Sequence, residues 1–145
     1  MQIILGWILV IFGGGLYLAQ VISSTNFPLA QRLGIQEKPD TSDALLQRSE
    51  RYTAYWDLLT LLWFPVAGVL MISDQYWWPV MSLIGGAIYL DTAGREAAKN
   101  LSFRHEGIKV GTDKEQRVFF ASYIVMAIIA VFVIVFTIYT LYSQL

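Results

Sequence analysis

The chain has 145 residues, 56% hydrophobic and 14% charged, with a net charge of −1 and no cysteine. Those figures exclude an ordinary soluble domain, a basic nucleic-acid binder, a disulfide scaffold, a thiolate metal site and a cysteine nucleophile. All ten lysines and arginines fall in two stretches, Arg32 to Arg51 and Arg95 to Arg117, and long apolar runs occupy the rest.

A helix needs ~20 apolar residues to cross a hydrocarbon core of ~30 Å. In chain order, spans are predicted over residues 2–22, 53–73, 78–98 and 118–142. The first has no positive side chain ahead of it and no small-x-small cleavage site behind it, so it reads as a retained span and not a signal peptide. It carries Gly13-Gly14-Gly15, and Gly15-x-x-x-Ala19 is a small-residue pair of the kind that lets membrane helices approach closely. Gln20 and Ser23 sit at its far end.

In the first loop, residues 23–52, Asn26 is expected to cap a short interfacial helix, Pro28–Leu33, that Gly34 stops. Gln36 to Asp40 reads as a turn. Thr41, Ser42 or Asp43 then caps a helix that starts at Ala44 and runs unbroken into the second span. Pro65 is expected to kink that span, because it lacks an amide hydrogen and its ring clashes with the Leu61 carbonyl; the kink would pack against Gly68. The Ser73–Tyr76 turn is too short for anything but an antiparallel pair, and Trp77 and Trp78 after it suit the headgroup level. The third span holds a second small-residue pair, Ser82-x-x-x-Gly86. Beyond it, Leu101–Gly111 is expected to be extended chain or a small hairpin. Thr112 and Glu115 form a capping box that starts the fourth span.

Basic side chains are retained on the cytoplasmic side of a membrane. The N-terminus, the Ser73–Tyr76 turn and the tail Ser143–Leu145 have none, so both termini are expected outside and loops 23–52 and 99–117 inside. The expected fold is all-α: one polytopic membrane domain, an antiparallel bundle of four transmembrane helices. The expected location is a bacterial inner (plasma) membrane, with the lipid bilayer and a homo-oligomer or larger membrane complex as partners and no nucleic acid.

Asp57 and Asp91 are acids placed where acids are costly. Counted from the outer turn at ~1.5 Å per residue they lie ~24 Å and ~18 Å deep, at the same end of the bundle. A charge near the bilayer centre costs roughly 2.5–3.5 kcal/mol, so such residues face a partner or water. Asp57, Asp91, Arg95 and Glu96, with Arg51 flanking, are therefore the candidate ion, proton or substrate site; the Asp91–Arg95 spacing also suits a simple helical ion pair. No pattern names a cofactor, and the single histidine, His105, cannot build a typical metal site. The expected function is a small oligomeric transporter or channel, or an accessory subunit of a membrane complex, not an enzyme. The charged third loop is a further candidate for docking a protein partner or anionic headgroups.

Four spans, outside termini and the Glu50-Arg51 step opening the second helix resemble, in architecture, the membrane-associated glutathione and eicosanoid metabolism family. The resemblance implies a membrane enzyme that holds an anionic cosubstrate with loop and helix-end arginines, and assigns that role to Arg51. The family continues its Glu-Arg step with an alanine, an asparagine and a glutamate; at those spacings this chain has Tyr55, Leu58 and Leu61.

Overall fold

In an apolar chain the backbone amides and carbonyls must bond within their own segment, which the helix achieves. The computed structural model describes residues 1–143; the last two residues of the tail, Gln144 and Leu145, lie outside the described residues. Helix α1 (Gln2–Ile8) passes through a π-helical turn, Leu9–Gly13, into α2 (Gly14–Thr25). Then follow α3 (Phe27–Arg32), α4 (Ala44–Thr60), α5 (Trp63–Ile72), α6 (Trp78–His105) and α7 (Asp113–Tyr142). The regular secondary structure of the described residues is all helical, with no strand and one isolated bridge between Ser42 and Val110.

Three stretches, Gln2–Thr25, Ala44–Ile72 and Asp113–Tyr142, are long and apolar enough to cross a membrane. Helix α6 matches them in length, but Asp91, Arg95, Glu96 and Lys99 in its second half leave it too polar to count with them. It packs between α5 and α7, α1 packs on α5, and α2 packs on α4. The common core is Leu5, Leu9, Phe64, Met71, Tyr89 and Val133, all nearly or fully buried.

Local signals explain most boundaries. The Asn26 side chain accepts from the Leu29 amide to cap α3, and Gly34, at φ +73°, ends that turn. Asp43 caps α4 by accepting from Leu45, and Thr112 and Glu115 form the capping box on α7. The helix from Ala44 runs unbroken into the second span, and the kink expected at Pro65 is a break at Leu61–Leu62, where the proline ring displaces the carbonyl four residues earlier. One expectation needs correction. Leu101–Gly111 is not a hairpin, because α6 continues to His105. Buried Asn100 anchors that continuation, its side-chain amide donating to the Glu96 carbonyl at 3.2 Å and the Tyr123 hydroxyl at 3.3 Å.

Glycine contacts decide how close the helices come. A Cβ added at Gly68 would lie 2.6 Å from the Gly6 carbonyl oxygen, so α1 and α5 touch backbone to backbone. Gly86 likewise lets α7 approach, at Ala130 and Ile134. A Cβ added at Gly15 would meet nothing within 4 Å, so no helix of the chain packs closely at that position.

The two ends of the bundle differ. At one end the Gln2 side chain donates to the Met71 carbonyl at 2.9 Å and to Asp74 Oδ1 at 3.0 Å, and the Trp78 and Phe136 rings lie 6.3 Å apart. The N-terminus, the α5–α6 turn and the end of α7 therefore sit together. At the other end the Ser42–Val110 bridge is flanked by bonds from the Asp43 amide to the Lys109 carbonyl and from the Gly111 amide to the Thr41 carbonyl. These join the two charged loops.

Candidate functional site

Residues three or four apart share one face of a helix. On α4 this aligns Glu50, Thr53, Asp57 and Leu61, and on α6 it aligns Thr92, Glu96 and Asn100. The first two faces, with Gln20 from α2 and Ser122 and Tyr123 from α7, enclose a cavity of about 120 Å³. That is room for about four waters at roughly 30 Å³ each. The loop residues Ile35, Gln36 and Glu37 close it from the side of the charged loops.

The loop enters the bundle because its polar groups find partners there. Gln31 donates to the Glu37 carbonyl at 3.0 Å, and Gln36 Nε2 donates to the Ser23 hydroxyl at 3.2 Å. Glu37 is only 4% exposed. Burial, reinforced by the neighbouring Glu50 carboxylate, pushes its carboxyl up to about 7.

Two cations answer the cavity's carboxylates. Lys99 Nζ lies 2.7 Å from Glu50 and 2.5 Å from Glu96, so it bridges α4 and α6. The Arg95 guanidinium is 3.7 Å from Asp57 Oδ1, an ion pair too long to be a hydrogen bond. Asp57 is 1% exposed, and its Oδ1, like Gln36 Oε1, has no hydrogen-bond donor. The cavity wall thus presents acceptors that no protein donor hydrogen-bonds and that water, a proton or a cation can satisfy. Among the described residues no three His, Cys, Asp or Glu side chains are grouped tightly enough to hold a metal ion.

The expected site residues divide. Asp57 and Glu96 line the cavity, and Arg95 lies beside Asp57. Asp91 does not join them: one position round α6 from the cavity face, its side chain is 75% exposed and 3.9 Å from Arg95 Nε. Arg51 faces away from the cavity, into a separate cleft with Arg48, Tyr52 and Tyr55. The carbonyl freed by Pro65 is occupied: the Tyr89 hydroxyl reaches both the Leu61 and Gly13 carbonyls at 3.3 Å. It also ties the α4–α5 break to the π-helical turn.

Sequence reasoning missed Glu37, Glu50, Lys99, Gln36 and Tyr123. Glu50 and Lys99 were findable, since Glu50 shares the Asp57 face and Lys99 is one turn past Glu96. Gln36 and Glu37 carry no such signal, because only the path of the loop brings them inside. The chain matches no protein-family model, and no curated protein or solved structure matches it significantly.

Proposed function

We propose that the chain is a four-span membrane protein that binds a proton or a small monovalent cation in this cavity and passes it across the membrane as a transporter or channel. In this reading both termini are outside, and loops 23–52 and 99–117 are cytoplasmic. The observation that carries it is the charge imbalance around the cavity. Among the described residues, the carboxylates of Glu37, Glu50, Asp57 and Glu96 face only the cations Lys99 and Arg95. An unpaired buried carboxylate costs several kcal/mol, so two of the four call for a proton or a further cation.

The absence of a tight carboxylate group among the described residues argues against a divalent ion, which takes six or more oxygens. A monovalent cation or hydronium is satisfied by one carboxylate with neutral oxygens, such as Asp57 Oδ1 with Gln36 Oε1 and nearby hydroxyls. Gly15, open on its Cβ side, leaves room for a helix of a second copy or of a larger membrane complex. Arg51, outside the cavity, gives no support to the enzyme reading in which it would hold an anionic cosubstrate.

The test is ion flux into proteoliposomes. Asp57→Asn and Glu50→Gln are expected to reduce flux at least tenfold while the protein still purifies as folded material. Unchanged flux in both variants refutes the transport reading. A native protein that carries no flux but copurifies with a larger partner at fixed stoichiometry would be an accessory subunit instead.

A further inference from the structure

The side chains of α4 that turn away from the cavity form a stripe of their own. Arg48, Tyr52, Tyr55 and Leu59 recur every three or four residues and are all exposed, and Trp63 continues the line into α5. At its charged end, Arg48 and Arg51 combine with Gln47, Tyr52, Tyr55 and Phe27 to line an open cleft of about 480 Å³. That volume is within the range of roughly 300–1,000 Å³ usual for small-molecule sites. Neither guanidinium forms an ion pair among the described residues.

Two unpaired guanidinium groups one helical turn apart offer the planar donor forks that match phosphate oxygens. Tyrosine hydroxyls beside them add neutral donors at the depth where tyrosine prefers to sit in a bilayer. The stripe below has no charge from Tyr52 to Leu59 on this face, and Tyr55, Leu59 and Trp63 offer an apolar track. A phosphate with no hydrocarbon attached would leave that track unused.

We propose that this cleft is a binding site for an anionic phospholipid, the phosphate between Arg48 and Arg51 and the acyl chains along Tyr55, Leu59 and Trp63. The proposal rests on the four-span reading, which puts the cleft at the cytoplasmic headgroup level. It does not rest on transport, because neither arginine lines the cavity. It also locates lipid contact on α4, not in the third loop.

The experiment is native mass spectrometry of the detergent-purified chain titrated with phosphatidylglycerol and phosphatidylcholine. The native chain is expected to retain phosphatidylglycerol in preference. The Arg48→Gln/Arg51→Gln double variant is expected to lose that preference by about thirtyfold, the combined effect of two basic side chains at a lipid surface. Arg104→Gln/Lys109→Gln is expected to keep it. A preference that survives in the first variant, or falls equally in the second, overturns the proposal. So does glycerol 3-phosphate displacing the lipid at equal concentration, which would make the ligand a free phosphate ester. Release of the native chain from membranes by an alkaline wash would instead overturn the four-span reading.

Discussion

Replacing Glu37 by glutamine tests whether the loop is buried in the bundle. The side chain is 4% exposed, and its carboxyl is raised from 4.5 to about 7, first by burial and then by Glu50. An acid whose folded pKa lies above its unfolded value holds its proton more tightly in the folded state. Its contribution to stability is therefore full below pH 4.5 and is lost as pH rises through about 7. At ~1.4 kcal/mol per unit the loss amounts to about 3 kcal/mol, reduced to the extent that water in the cavity solvates the ion. Glu37→Gln keeps the size of the side chain and cannot ionise. The variant should match the native protein at pH 4.5 and exceed it by about 1–3 kcal/mol at pH 8. The assay is detergent-denaturant unfolding in mixed micelles at several pH values. Parallel stability curves for the two proteins would refute the placement of Glu37 inside the bundle.

Lys99→Met should cost about 3–5 kcal/mol, because it strands two buried carboxylates. Adding Glu50→Gln should recover about 1–3 kcal/mol, and unfolding of both single variants and the double variant reads this coupling. Tyr89→Phe should lower stability by about 1 kcal/mol by removing the shared bond to Leu61 and Gly13. Gly68→Ala should cost about 1–3 kcal/mol in the same assay, since its new methyl would lie 2.6 Å from the Gly6 carbonyl oxygen.

Much of the helical layout was legible because caps, prolines and glycines act locally. Asn26, Gly34, Asp43 and the Thr112–Glu115 box mark the ends they were expected to mark. The break at Leu61–Leu62 was legible from Pro65, but the extension of α6 to His105 was not, since it depends on Asn100 meeting Tyr123. Asp57 and Asp91 were both singled out by the cost of an acid in a membrane, but only Asp57 lines the cavity. Adjacent positions on a helix differ by about 100° in direction, so depth alone does not separate a side chain in the cavity from one outside it. Periodicity would have done so, pairing Asp57 with Glu50 and leaving Asp91 off the Thr92–Glu96 face. No local pattern reaches Gln36 and Glu37.

The bonds that join Thr41–Asp43 to Lys109–Gly111 fasten two connections that lie far apart along the chain. Residues stapled in this way open together or not at all, so the amides of Asp43 and Gly111 should exchange with deuterium at one shared rate. Any motion that uncovers Glu37 has to lift the segment before α7 as well. The short stretch ahead of α4 is then one jaw of a clasp, and its other jaw moves with the N-terminus of α7.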